Sequence, residues 1–271
     1  MSPELERILP RVQKPARYTG GEYREIVKEK KDVDLRVAFC FPDTYEIGMS
    51  NLGMRILYGV MNRMDGVWCE RVFAPWGDME EEMRKAKLPL YALESGDPVA
   101  DFDILAFSIG YEMAYTNVLN MLDLAGVPVR SEDRHGLTPI VLAGGTACYN
   151  PEPLADFVDL FCIGEGEDLD PEVILLYRKA RDEGWSKEQF LREAAGIGGV
   201  YVPSLYKVTY HEDGTLAAIT PEDGAPAVVT KRIVQDFDHS YFPEQTIVPS
   251  TEIVHDRVVV ELFRGCIRGC R

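Results

Sequence analysis

The sequence predicts a doubly wound parallel α/β sheet followed by a β-rich connector, and three observations predict it. Short apolar runs alternate with amphipathic helical patterns through residues 33–195. Residues 103–109 (DILAFSI) and 139–143 (PIVLA) are apolar at successive positions, as strands covered on both faces must be. The joining loops are rich in Gly, Pro and Asp, and the order strand, helix, strand, helix is that of an open parallel sheet with helices on both sides.

Taken in order, residues 1–32 read as a charged lead-in, helical in parts and solvated. Residues 34–41 (DLRVAFCF) form a strand that stops at Pro42. Leu52, Ile56, Val60 and Met64 recur at helical spacing, so 51–64 is an amphipathic helix. Residues 67–73 are a second strand, 79–87 a short charged helix, and 88–93 an apolar run. The central strand 103–109 precedes a helix over 115–125. Two more buried strands, 139–143 and 160–163 (LFCI), precede a helix over 169–184. Beyond about residue 195 the composition changes. Residues 200–210 (VYVPSLYKVTY), the turn 211–214 (HEDG) and 215–220 predict a hairpin. Pro221, Pro226, Pro243 and Pro249 mark a connector running along the surface of its neighbours. Residues 257–263 (RVVVELF) read as a strong strand, with 264–271 (RGCIRGCR) as the loop after it. The resulting division is a lead-in (1–32), an α/β domain (33–195), a hairpin and connector (196–252) and the start of a further domain (253–271).

The formal net charge of −16 excludes general attraction to a nucleic-acid backbone. No run of eighteen apolar residues is present to cross a membrane. Residues 1–10 lack the apolar core of a secretory signal, which makes the cytoplasm the expected location. Of six cysteines, Cys40, Cys69, Cys148 and Cys162 sit in apolar segments and read as small buried hydrophobes. Cys266 and Cys270 differ, being spaced C-x3-C among glycines and arginines directly after a strand pattern. Chemistry in parallel α/β folds sits on such loops. Thiolates hold iron–sulfur clusters, and Arg264, Arg268 and Arg271 are placed to favour the thiolate form and offset a cluster's negative charge. The spacing alone also fits a zinc half-site, with His255 the nearest histidine in sequence, a strained local disulfide, or two inert thiols.

Residues 261–271 (ELFRGCIRGCR) resemble the first strand and cluster loop of radical SAM enzymes, whose signature is C-x3-C-x2-C. Cys266 and Cys270 match its first two cysteines, and the third falls two residues past Arg271, so the chain reads as cut within the motif and as inactive alone. The resemblance implies a 4Fe-4S cluster, S-adenosylmethionine cleaved reductively to a 5′-deoxyadenosyl radical, and an electron donor such as flavodoxin or ferredoxin. The substrate stays open.

The front domain resembles the cobalamin-binding-type domain that precedes the barrel in one large class of these enzymes. That domain carries D-x-H-x-x-G after its first strand. Here Asp43 and Gly48 match, and Tyr45 stands in place of the histidine. Ser108 at a strand end, Gly144-Gly145 and the segment 159–167 (DLFCIGEGE) also match, as do 199–206 (GVYVPSLY) and 254–257 (VHDR) in the connector. The resemblance makes Asp43, Tyr45, Gly48, Ser108, Gly144 and Gly145 a cobalamin-like site. Tyrosine is protonated near neutral pH and ligates cobalt poorly, so cobalamin would bind there without a histidine lower ligand, or the fold persists with the cofactor lost. Glu165 and Glu167 read as acids at a helix N-terminus before they read as catalysts. The competing reading of the whole is a non-catalytic cobalamin-binding or protein-interaction domain.

Overall fold

Six strands form the central sheet of the computed structural model, which describes residues 2–265, 267 and 268. They are β1 (Leu35–Phe41), β2 (Val67–Phe73), β3 (Ile104–Ser108), β4 (Ile140–Gly144), β5 (Leu160–Cys162) and β6 (Val200–Tyr201). Their order is β2-β1-β3-β4-β5-β6. The first five run parallel, and β6 is antiparallel to β5. This is the predicted doubly wound fold. Helices α1 (Pro3–Ile8), α2 (Tyr45–Gly48), α3 (Leu52–Asn62), α4 (Gly77–Ala86), α5 (Tyr115–Ala125), α6 (Gly166–Asp182) and α7 (Lys187–Ala194) connect or flank the strands. The crossover through α3 moves outward from β1 to β2, and the crossover through α4 moves back to β3. Right-handed crossovers therefore put these helices on opposite faces. α3 packs with α6, while Arg84 of α4 bonds Asp123 and Asn120 of α5, each at 2.8 Å.

With both faces covered, the strands bury nearly every side chain. β2 is buried throughout although it carries Glu70 and Arg71. Of the helical stripe Leu52, Ile56, Val60 and Met64, α3 fully buries only Ile56. Met54, Tyr58 and Met61 face the core, while Leu52, Val60 and Met64 are half-buried. Both sets have helical spacing, and only the position of the sheet decides between them.

β2 is an edge strand, and its free edge is closed by side chains. The Asn62 amide donates to the Cys69 carbonyl (2.9 Å) and accepts from the Cys69 N–H (3.0 Å). Glu94 accepts the Arg71 N–H at 2.7 Å. Such capping satisfies ladder groups that would otherwise template another strand. The lead-in seals the same edge, unlike the solvated tail expected of it. Leu5, Ile8, Tyr18 and Glu22 are buried, and the Ile26 carbonyl accepts from Trp68 Nε1 at 3.0 Å. Its acidic residues answer the charge on β2: Glu22 lies 2.6 Å from Arg71, as does Glu94.

The predicted hairpin is shortened. Residues 200–201 leave it to join the main sheet as β6, and Pro203 starts a 3-10 turn. The hairpin proper is β7 (Tyr206–Tyr210) with β8 (Leu216–Pro221). Residues 257–263, expected as a strand, pair with nothing among the described residues. Val258 (91% exposed), Leu262 (79%) and Phe263 (73%) face solvent. A β-type run becomes a strand only beside a partner strand.

Candidate functional site

In the order β2-β1-β3-β4-β5, the strands are added outward on one side of β1 and then on the other, so the strand order reverses between β1 and β3, and open sheets of this kind offer their crevice at the C-terminal strand ends at such a point. A cleft of about 240 Å³ lies there, between the sheet and helices α3 and α6. Ser108 of β3, Gly144 and Gly145 after β4, and Asn51, Thr146 and Asp170 line it. Across its mouth the Tyr111 hydroxyl donates to Asp43, tying the loop after β3 to the loop after β1. Asp43 also accepts the Thr44 N–H at 2.7 Å. Gly145 has φ +103°, and a Cβ there would stand 2.5 Å from the Ile109 carbonyl oxygen. Glycine is thus required for the backbone to turn under the loop after β3.

Asp170, in the first part of α6, is the titratable group of this cleft. Burial pushes its carboxyl up to about 7, Glu167 adds to the rise, and a hydrogen bond with the Cys162 thiol opposes it. Sequence reasoning missed Asp170, because an acid near a helix start reads as a dipole partner. Its neighbour Cys162 is itself unreactive. Burial pushes its thiol well above the ordinary value, and does the same for Cys40, Cys69 and Cys148.

The structure thus brings Ser108, Gly144 and Gly145 together in the cleft, leaves Asp43 outside its lining and bonded to Tyr111, and takes Tyr45 and Gly48 elsewhere. Tyr45 is buried, with its ring edge-on to Phe73 (centroids 5.3 Å apart) and its hydroxyl donating to Glu22. Burial and the Glu22 carboxylate raise its phenol far above the ordinary value. The ring therefore fixes the lead-in and is not presented to a ligand. A Cβ on Gly48 would stand 2.2 Å from the Phe73 ring, so this glycine makes room for a side chain of the core.

The residues of the cobalamin-like set do not converge on one cleft. The cleft is smaller than the roughly 300–1,000 Å³ of ordinary ligand pockets, and Tyr45 is turned away from it. The connector also crosses the sheet edge, with Gly164 bridged to Arg232, and with Val254 and His255 N–H groups bonded to Glu46 and Ser50. The loop after β1 keeps the D-x-x-x-x-G spacing, while its Tyr45 and Gly48 serve the core rather than this cleft.

Arg264 lies at the same edge. It is bidentate to Glu261 (2.8 and 2.9 Å), bonds Glu167, stands 3.6 Å from Glu165, and lies over the Phe237 ring with 5.0 Å to its centroid. Glu165 additionally accepts the Val234 N–H at 2.6 Å. Glu165 and Glu167 are therefore anchors for the connector and the loop beyond it. Arg264, expected to offset a cluster's charge, is already faced by three carboxylates. Cys266, Cys270 and Arg271 lie outside the described residues. Among the described residues no group of three or more His, Cys, Asp or Glu side chains could hold a metal ion. Among the same residues no helix is long and apolar enough to cross a membrane. The thiolate chemistry of Cys266 and Cys270 suits iron–sulfur ligation, and the four buried cysteines are committed to the core.

No solved structure matches this chain. An uncharacterized protein of Methanocaldococcus jannaschii is 24% identical over 149 residues, which cover 55% of this chain and 28% of that protein. The match thus spans little more than a quarter of the relative's length. Residues 53–203, running from α3 past β6, match the family model for the N-terminal region of radical SAM proteins. That match takes in more than half of the chain and the whole switch-point cleft apart from its β1 wall and Asn51, and the chain belongs to the family of radical SAM proteins.

Proposed function

We propose that this chain is the N-terminal part of a radical SAM enzyme whose cluster ligands begin at Cys266 and Cys270. One observation carries the reading: a family-typical α/β domain is followed by C-x3-C directly after E-L-F-R-G. When bound, a 4Fe-4S cluster supplies one electron to the sulfonium of S-adenosylmethionine, and an external donor of the flavodoxin or ferredoxin kind restores it. In this reading residues 253–271 open the catalytic domain, and 257–263 become its first strand. The solvent-facing Val258, Val260, Leu262 and Phe263 support this, since a contiguous apolar run of that length calls for cover. The α/β domain then acts as the platform on which the catalytic domain is mounted. Cobalamin is left out, for the reasons of geometry given above.

Anaerobic reconstitution with iron and sulfide tests the assignment. Two thiolates are too few for a stable cluster, so the 271-residue chain takes up iron substoichiometrically and loses that uptake in C266A/C270A. A chain extended along its reading frame binds a full cluster and releases 5′-deoxyadenosine on reduction with S-adenosylmethionine. Equal iron uptake by C266A/C270A would overturn the proposal.

A further inference from the structure

Residues 164–167 (GEGE), which lead from β5 into the first turn of α6, serve two sites at once. Gly164 and Gly166 line the switch-point cleft. Glu165 and Glu167, alternating with them, bind Arg264. Arg264 stands two residues before Cys266 and 97 residues from Glu167, so the contact joins the end of β5 to the root of the cysteine loop. We propose that Arg264 and Glu167 form a latch that holds residues 261–265 at the switch-point edge of the sheet and so sets where the chain enters the cysteine motif, with the segment 164–167 as the shared element between latch and cleft.

The physical case rests on the quality of this contact. An exposed ion pair contributes little, because two long side chains must be ordered and water screens their charges. Here the Glu167 side chain is 8% exposed and that of Arg264 23%. The guanidinium uses both edges of its fork, one on Glu261 and one towards α6, and its face lies over Phe237. Planar, bidentate and stacked contacts are what distinguish arginine from lysine, and they fix a direction as well as a charge. Three carboxylates around one cation leave an excess of negative charge, so this arginine is held by the sheet domain and its charge is neutralised there. Its role is that of a positioning residue. The inference rests on the reading of Cys266 and Cys270 as cluster ligands only where a cluster is used as the probe.

The first experiment needs no iron. Trypsin must draw an arginine side chain into its specificity pocket before it cuts, so cleavage after Arg264 reports directly on whether that side chain is held. In the 271-residue chain, Glu167→Gln is expected to speed cleavage after Arg264 about fivefold, the factor that loss of about 1 kcal/mol of local pairing brings. Arg264→Lys keeps the charge, loses the fork and speeds cleavage similarly. The two together give no further acceleration, because each removes the same contact. Cleavage after the exposed Arg257 stays unchanged in every variant and reports any general loosening. Unchanged cleavage after Arg264 in Glu167→Gln, or fully additive effects of the pair, would overturn the latch. In the extended, iron-loaded protein, Glu167→Gln alters the electron paramagnetic resonance spectrum of the reduced cluster at unchanged iron content. An identical spectrum there removes the positioning role. A protein that binds no iron at all overturns the cluster assignment and leaves the proteolysis result standing on its own.

Discussion

At the scale of single residues, the largest effects belong to charges taken out of water. Arg71 is 1% exposed and shares β2 with the fully buried Glu70. It is balanced by Glu22 and Glu94 at 2.6 Å each. Removing one member of such a group leaves the others buried without a counter-charge. Arg71→Met is therefore expected to cost about 3–5 kcal/mol in denaturant unfolding, and a change below about 1 kcal/mol would show that water reaches the site. Asp170 behaves in the opposite sense. Its folded pKa, about 7, lies above the ordinary carboxylate value of 3.8. The folded state binds the proton more tightly, so this group favours folding at low pH. That contribution is lost as pH rises from about 4 to about 7. Asp170→Asn removes the titration. Its stability relative to the parent chain should rise through the same window and level off above it, by on the order of 1 kcal/mol given partial exposure. Thermal unfolding of both proteins at closely spaced pH values measures this, and a pH-independent difference would contradict the assignment.

At the scale of elements, β2 shows how an edge strand is finished. Its position at the end of the sheet exposes a row of ladder groups, and Asn62, at the last turn of α3, satisfies two of them with one amide. Asn62→Ala leaves a buried N–H and a buried carbonyl without partners, at an expected cost of about 1–3 kcal/mol. Hydrogen exchange at Cys69 should quicken together with the fall in unfolding free energy. If stability falls and Cys69 exchange does not change, the amide acts through packing alone. The segment 257–263 is the reverse case, an element whose residues favour a strand and which finds no partner strand among the described residues. Its alternating Val258, Val260 and Leu262 were legible as β-type, whereas pairing is a property of two segments and could not be read from one.

At the scale of the whole molecule, an acidic body of net charge −16 carries an exposed apolar run near residue 260. Like charge opposes association in general, so self-association should be confined to that run. Val258→Lys with Leu262→Lys is expected to abolish concentration-dependent association in light scattering. The thermal midpoint should stay within about a degree, since neither side chain is packed. Persisting association would place the contact elsewhere, for instance on the β7–β8 hairpin, where Tyr210 and Leu216 are exposed.

The sequence by itself determined the doubly wound class, the run of elements from β1 to α6 and the buried character of four cysteines. Periodicity and loop chemistry are local quantities, and each of those readings is local. Tertiary structure decided the rest. It decided which stripe of α3 is buried, because two helical stripes were available and the sheet chose one. It turned the charged lead-in into the cover of β2, because Glu22 and Arg71 must meet before either can be buried. It separated Tyr45 and Gly48 from Ser108, Gly144 and Gly145, although a shared motif had joined them, because the side-chain direction in the short helix after β1 is set by Phe73 and Glu22. It also gathered Asp170, Glu167 and Arg264 at one strand end. Spacings of 3 and 97 residues carry no common signal in a sequence, and such groups meet only when the sheet brings the end of β5 to the root of the cysteine loop.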